Sequence, residues 1–327
     1  MPIHNPAYRP WSGTGVSESL RSWTICTTGI RRAAKSAWLK RLMLAAFLPL
    51  LFFAVPFFLF EQSERDPRMW RSFVGFVREF DQTSILSNKL GNVPINPTEE
   101  EFREIRHDAW SFLLLTMLRN PQAFLMVLVV GIVAPPLISQ DLRTRAYLIY
   151  FSRPITRLEY IFGKVGVVAF FLIVISASPA LVLYLVGLLL SPSLGVAFET
   201  WDLPLRILLG TATLVIPTTL LALAISSLTL ESRYAAFAWF AIWIIGHVTY
   251  TALTMIPAIE SEQQQATYQP GWRLLTSPYQ VLGNVQSYIF GFAENPTMVT
   301  SSFLTLVAVS LVSLAILFRR VNAPMRA

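Results

Sequence analysis

The apolar residues of this chain come in six blocks, each of about 20 residues, and this feature limits the possible folds more than any other. An α-helix rises about 1.5 Å per residue, so such a block crosses the roughly 30 Å of hydrocarbon in a bilayer. Only 14% of the 327 residues are charged, against roughly 25% in soluble domains. The sequence therefore predicts an all-α polytopic membrane protein with six transmembrane helices.

The six predicted spans have nearly uncharged centres. They cover about residues 42–60, 122–138, 163–190, 205–230, 235–256 and 296–318. Their central portions contain no Asp, Glu, Lys or Arg; only His247 lies mid-span, and we expect it to be neutral and hydrogen-bonded inside the bundle. Ion-coupled carriers and intramembrane hydrolases need ionisable groups at this depth, so both classes are disfavoured.

Lys and Arg are distributed unequally among the polar segments. Residues 1–41 hold seven against one acid, residues 140–164 hold five against two, and residues 319–327 hold three against none. Residues 191–204 hold two acids and no base. By the positive-inside rule, we predict a multi-pass protein of the cell (inner) membrane with both termini cytoplasmic. The net charge of +7 then sets topology and implies no nucleic-acid partner.

The chain is predicted to form one membrane domain with short polar ends. Residues 1–41 are a basic cytoplasmic segment with an amphipathic interfacial helix, residues 42–318 the six-helix transmembrane domain, and residues 319–327 a basic cytoplasmic tail. Residues 61–121 and 257–295 are the two substantial outer segments. They could line an exit, bind a partner, or form a lid over the bundle.

The outer segments carry predicted amphipathic extracytoplasmic helices. Helix starts are indicated where a capping residue precedes proline, at Asp66-Pro67, Asn96-Pro97 and Ser277-Pro278, and Asn295-Pro296 is expected to cap the sixth span. The second of these helices has one apolar face, made of Phe102, Ile105, Ala109 and Phe112. We expect it to lie on the outer membrane surface until the chain turns at residues 119–121.

Several kinds of site chemistry are missing from the sequence. A single cysteine, Cys26, excludes an intramolecular disulfide and a Cys-rich metal site. The "FGK" at residues 162–164 is not a phosphate-binding P-loop, because Leu158 stands where that motif needs glycine. We expect no cofactor on this chain, and any nucleotide chemistry must lie on another chain.

Residues 140–164 form a charged, aromatic element between the second and third spans. Tyr147, Tyr150 and Phe151 fall on one helical face, and a break is expected at Arg153-Pro154. Thr156 to Glu159 then form a capping box that starts the next helix. Such an element suits a groove on a soluble partner, but an interfacial loop would explain it equally well.

The residue order in this element resembles the permease subunits of type-2 ABC exporters, the ABC-2 family. The resemblance rests on Asp141, Arg143, Tyr150, Phe151, Ser152, Arg153, Pro154, Ile155, Thr156, Arg157, Tyr160, Gly163 and Lys164. In that family the segment after the second of six spans carries a cytoplasmic coupling helix, here about residues 140–157. One departure is Arg145-Ala146, where many members have Gly-Thr or Gly-Ala.

The resemblance implies a transport subunit and not an enzyme. The chain would form half of a homodimeric or heterodimeric export pathway in the lipid bilayer, driven by a separate ATP-binding subunit that holds ATP-Mg. The residues implied to contact that subunit are Asp141, Arg143, Arg145, Tyr147, Tyr150, Phe151, Arg153, Pro154, Arg157, Glu159 and Lys164. The uncharged spans favour an amphiphilic or apolar cargo.

Two other functions stay open at this point. The chain could be a non-transporting scaffold or assembly factor that uses the same helix to bind a partner. It could also be an enzyme acting on lipid at the outer face, which would require a cluster of His, Asp or Glu there. In the outer segments His107 stands alone in the sequence.

Overall fold

The computed structural model describes residues 21–63, 66–80, 86, 90, 99–146, 155–192, 195–263, 271–293 and 295–322. Regular structure in these residues is helical. Six helical stretches among them are long and apolar enough to cross a membrane. The predicted all-α polytopic fold is therefore confirmed.

The described residues form thirteen α-helices and two short helical segments of other types. In chain order they are α1 (Arg21–Ala33), α2 (Ala37–Ala45), α3 (Leu48–Gln62), α4 (Pro67–Phe80), α5 (Glu99–Met117), a π-helical segment (Leu118–Gln122), α6 (Ala123–Val133), α7 (Pro135–Arg143), α8 (Arg157–Leu190), α9 (Val196–Glu199), α10 (Leu203–Leu228), α11 (Ser232–Gln263), a 3₁₀ segment (Gly271–Thr276), α12 (Pro278–Phe290) and α13 (Pro296–Asn322).

The second span differs from its prediction. Instead of turning at residues 119–121, the chain continues from α5 through the π-helical segment into α6 and α7, and the membrane-length stretch runs over Ile105–Arg143. Pro121 lies inside the π-helical segment. A proline lacks the amide donor of a regular helix, and the wider π-turn is one way for the helix to continue past it.

The predicted apolar face of α5 is nevertheless buried. Phe102, Ala109 and Phe112 are less than 5% exposed and belong to one hydrophobic core. This core includes residues of α3 and α8, against which α5 packs. The helix is therefore part of the bundle, and the prediction that it lies flat on the outer surface is wrong.

Most predicted helix starts are found. The carboxylate of Asp66 accepts the Arg68 amide at 2.8 Å at the start of α4, and Asn295 accepts the Thr297 amide at 3.1 Å at the start of α13. Pro278 begins α12, although the side chain of Ser277 makes no capping hydrogen bond. The Asn96-Pro97 start lies outside the described residues.

Helices α8 and α10 lie at the centre of the bundle, and each contacts several other helices. Two hydrophobic cores occupy its two ends. One core, with Ile138, Val167 and Leu223, lies toward the connection between α7 and α8, which we call the Asp141 end. The other, with Phe60 and Trp110, lies toward the far end of α3, which we call the Glu61 end.

Helix α12 begins deep in the bundle. A Cβ added to Gly246, which lies in the middle of α11, would stand 2.7 Å from the Pro278 ring. At the other end of α12, Phe290 is within 3.1 Å of a Cβ built on Gly210, near the start of α10. The chain therefore re-enters the bundle between α11 and α13. His247 is exposed on α11, so the expectation that it lies inside the bundle is wrong.

Candidate functional site: the Asp141 end

A buried polar cluster joins the ends of α7 and α8. The Lys164 ammonium lies 2.6 Å from Asp141 Oδ2, and the Tyr160 hydroxyl donates to the same oxygen at 2.9 Å. Asp141 and Lys164 are each only 7% exposed. A buried carboxylate with one charged and one neutral donor is well satisfied, whereas the loss of either charged partner would leave the other charge buried and alone.

Helix geometry explains why these three residues meet. Tyr160 and Lys164 are four residues apart on α8, so they lie on the same helix face. Thr156 caps α8 with the predicted capping box: its hydroxyl accepts the Glu159 amide at 3.3 Å, and the Glu159 carboxylate accepts the Thr156 amide at 2.6 Å. The cap fixes where α8 starts and therefore which face is turned toward Asp141.

The turn after α7 contains an unusual backbone conformation. Arg145 has a φ of +54°, in the left-handed region that glycine adopts most easily. This is the position at which many members of the family that the sequence resembles carry glycine. This chain therefore differs from those members in residue type at position 145, but its turn still requires the left-handed conformation.

Helix α1 packs along the first turns of α8. A Cβ on Gly163 would approach the Ile25 side chain to 2.7 Å and the Ser22 carbonyl to 3.0 Å, so the two backbones lie very close. Cys26 is buried in this contact, and burial raises the pKa of its thiol, which makes it unreactive. Arg32 of α1 also donates to the side-chain oxygen of Gln140 at 3.1 Å.

A serine of α10 forms hydrogen bonds with the backbone at the start of α7. The Ser226 hydroxyl accepts the amides of Ile138 and Ser139 at 3.3 and 3.2 Å and donates to the Pro135 carbonyl at 2.6 Å. The first turn of a helix has unpaired amides, and a buried one needs such a partner. The Asp141 end is therefore connected to α1, α8 and α10 at once.

The predicted contact residues differ in exposure. Arg143, Arg145 and Arg157 are exposed, and Arg143 lies 3.1 Å from Glu231 in a surface ion pair. Asp141 and Lys164 are directed inward, and Glu159 is used in the cap. Tyr147, Tyr150, Phe151, Arg153 and Pro154 lie outside the described residues.

A comparison with known protein families shows which family the chain belongs to. Residues 35–322 match the model of a family described as ABC-2 family transporter protein, which covers most of the chain. The chain belongs to the ABC-2 transporter family. The permease assignment implied by the 140–164 segment is thereby confirmed at the level of the family. No curated protein sequence matches the chain.

The Glu61 end of this ABC-2 permease holds a second buried ion pair that sequence reasoning missed. Glu61 lies 3.3 Å from the Arg106 guanidinium and accepts the Trp110 indole N–H at 2.9 Å. Glu199 lies 3.6 Å from the same arginine. The partners are 45 or more residues apart in the chain, so only the folded arrangement of α3 and α5 brings them together.

His107 also has partners that the sequence did not reveal. Its Nε2 lies 3.0 Å from both carboxylate oxygens of Asp202, and its Nδ1 lies 4.0 Å from Asp108. Arg206 lies 2.7 Å from Asp202. Because both ring nitrogens face carboxylates, neither is directed at a hydroxyl or thiol that it could activate. This arrangement does not favour a lipid-modifying enzyme.

Proposed function

We propose that this ABC-2 permease is the membrane subunit of an ATP-driven exporter in the cell (inner) membrane, with both termini cytoplasmic. It would form half of a dimeric pathway and be coupled through residues 140–164 to a separate ATP-binding subunit that carries ATP-Mg. The observation that carries the proposal is the buried Asp141–Lys164 ion pair at the two ends of this segment.

The ion pair suggests how movement would be transmitted. Asp141 lies on the last turns of α7 and Lys164 on the first turns of α8, so a displacement of the intervening segment would move both helices together. Ser226 connects the start of α7 to α10, and Gly163 keeps α1 against α8. A push by the ATP-binding subunit would then reach two spans through this ion pair and these helix contacts.

The residues of the segment would divide into two roles. Arg143, Arg145 and Arg157 are exposed cations and would bind acidic groups on the ATP-binding subunit, where complementary charge favours association. Tyr147, Tyr150, Phe151, Arg153 and Pro154 are proposed as contacts from the resemblance. Asp141 and Lys164 would act as positioning residues because they are buried, and Glu159 because its carboxylate caps α8.

The test is to purify the full chain in detergent with the ATP-binding subunit encoded beside it. Complex formation and ATPase rate would be compared for the wild type, for Tyr150→Ala with Arg153→Glu, and for Arg143→Glu with Arg157→Glu. Arg68→Glu is the matched control, because Arg68 is an exposed arginine of α4 at the Glu61 end. We expect both double variants to lose binding or coupling while remaining folded, and the control to behave as wild type.

Other outcomes separate the alternatives. If the chain binds no ATP-binding subunit, or if both binding and ATPase rate are equal in all variants, the coupling proposal is wrong. If the complex forms through residues 140–164 but the permease changes neither ATPase rate nor transport, the scaffold or assembly function is favoured.

A further inference from the structure

Arg119 is a half-buried arginine for which the described residues supply no acidic partner. It lies in the π-helical segment of the Ile105–Arg143 stretch, beside Leu118, which contacts Gly210. Gly210 follows Leu203, the first residue of α10, by seven positions, which corresponds to a depth of about 10 Å below that end of the helix. The sequence prediction of spans without central charges missed this residue because it placed the start of the second span at residue 122.

The contacts of Arg119 are all neutral. Its two terminal nitrogens donate to the Ser287 hydroxyl at 3.3 Å and to the Gln280 side-chain oxygen at 3.1 Å, and its guanidinium lies 5.8 Å from the Tyr279 ring. Its Nε is buried without a hydrogen-bond partner. Among the described residues, no carboxylate lies within ion-pair distance of Arg119.

Other buried cations of this protein differ in this respect. Arg106 pairs with Glu61, and Lys164 pairs with Asp141. An unpaired arginine at membrane depth is expensive and is usually functional. π-helical segments inside longer helices are also frequent at functional sites.

Helix α12 is shaped to accommodate the guanidinium. A Cβ on Gly283 would lie 2.7 Å from Arg119 Nε and 3.0 Å from Cζ, so a side chain there would push the guanidinium away. Ser277, which precedes the first turn of α12, is fully buried, and its hydroxyl has no hydrogen-bond partner among the described residues. Arg119, Tyr279 and Gln280 are half-buried and therefore accessible from outside the single chain.

We propose that Arg119, with Gln280 and Ser287 of α12, forms a binding site for the phosphate-type head group of an anionic amphiphile. A guanidinium presents a planar set of donors that matches phosphate oxygens, and a charged acceptor would replace the neutral ones it now has. The depth of the site and its apolar neighbour Leu118 favour an anion that carries an alkyl chain. The binding itself needs no transport; that the amphiphile is the cargo rests on the proposed exporter function.

The proposal can be tested on the full chain without any ATP-binding subunit, so its failure is distinct from a failure of coupling. Native mass spectrometry would measure binding of dioctanoyl phosphatidylglycerol, with dioctanoyl phosphatidylcholine and inorganic phosphate as separate arms. We expect the wild type to bind phosphatidylglycerol about tenfold more tightly than phosphatidylcholine, and Arg119→Gln to lose this preference. Arg68→Gln removes an exposed arginine and should bind as wild type.

A second variant tests whether a loss of binding could result from misfolding. Gly283→Ala keeps the charge of Arg119 but displaces the guanidinium, and it should weaken phosphatidylglycerol binding while the midpoint of thermal unfolding stays near that of wild type. Equal binding of both lipids by the wild type, or unchanged binding by Arg119→Gln, would show that Arg119 only joins the π-helical segment to α12. Arg119-dependent binding of inorganic phosphate alone would overturn the amphiphile and indicate a soluble anion.

Discussion

The two ends of the bundle bury the same kind of polar cluster in different surroundings. At the Asp141 end a carboxylate forms an ion pair with a lysine and accepts a hydrogen bond from a tyrosine hydroxyl. At the Glu61 end a carboxylate forms an ion pair with an arginine and accepts a hydrogen bond from a tryptophan indole. The first cluster lies beside a largely aliphatic core, and the second lies among stacked rings such as Phe60 and Phe102, 4.6 Å apart. The chemistry of the buried pair therefore does not by itself indicate function.

The difference lies in what each pair connects. Lys164 and Asp141 lie on the two sides of the segment that we propose to contact the ATP-binding subunit, and Tyr160 is only 19 residues from Asp141. Arg106 and Trp110 both come from α5 and hold the far end of α3, with Glu199 as an additional acid near Arg106. We expect the first pair to affect coupling and stability, and the second pair to affect stability alone.

The largest effect is expected for Asp141→Asn. The amide can still accept the Tyr160 hydroxyl, but it leaves the Lys164 ammonium buried without its charged partner, which should destabilise the protein by about 3–5 kcal/mol. Chemical unfolding in detergent would measure this change. It should be accompanied by loss of ATPase stimulation in the complex.

A double variant separates charge burial from coupling. Asp141→Leu with Lys164→Met replaces both charges with apolar groups and should recover most of the lost stability, because buried pairs are often replaceable in this way. We expect coupling to stay impaired, since the connection between α7 and α8 is gone. If the double variant recovers coupling as well as stability, the Asp141 pair has only a structural role. The two ends of the bundle would then not differ in function in the way proposed here.

A smaller effect is expected for Glu61→Gln. The amide oxygen still accepts the Trp110 indole, and Arg106 keeps Glu199 at 3.6 Å, so the loss should be about 2–3 kcal/mol. The same unfolding measurement checks the size of this effect. ATPase stimulation per folded complex should equal that of wild type, and a selective loss of stimulation would mean that the Glu61 end also takes part in coupling.

The sequence predicted the parts of the molecule that depend on local pattern. Apolar blocks located the spans, and the capping box at Thr156 and Glu159 was correct. Pro121 was wrongly taken as a turn, because periodicity does not show that a π-helical segment can contain it. The pairing of Glu61 with Arg106, 45 residues away, depends on how α5 packs against α3, which no local pattern encodes.

The candidate site shows the same division. The sequence resemblance brought Asp141, Tyr160 and Lys164 together as members of one motif, but it could not show that two of them are buried against each other. It included Asp141 and Lys164 among the contacts of the ATP-binding subunit, because a linear pattern carries no information on which way a side chain points. Exposure separates Arg143, Arg145 and Arg157 from this buried set.

The smallest effect is expected at residues whose backbone is in the left-handed conformation, and each end of the bundle has one to compare. Gly291 ends α12 with a φ of +88°, whereas the turn after α7 uses Arg145 at +54°. A side chain in the left-handed conformation destabilises the folded protein by roughly 1–2 kcal/mol, and replacing it with glycine removes this strain. Glycine also has more conformational freedom in the unfolded chain, which destabilises the folded protein by about 0.5–1 kcal/mol. Arg145→Gly should therefore be slightly more stable than wild type, by about 0.5 kcal/mol.

Arg145→Ala provides the control, because it removes the same charge but keeps a Cβ. It should be less stable than Arg145→Gly by roughly 0.5 kcal/mol in the same unfolding experiment, because alanine keeps the strained Cβ. The two variants should weaken binding of the ATP-binding subunit equally if the exposed guanidinium is what that subunit contacts. If instead Arg145→Gly binds normally and Arg145→Ala does not, the left-handed turn is the feature that the partner requires, and the charge at this position is dispensable.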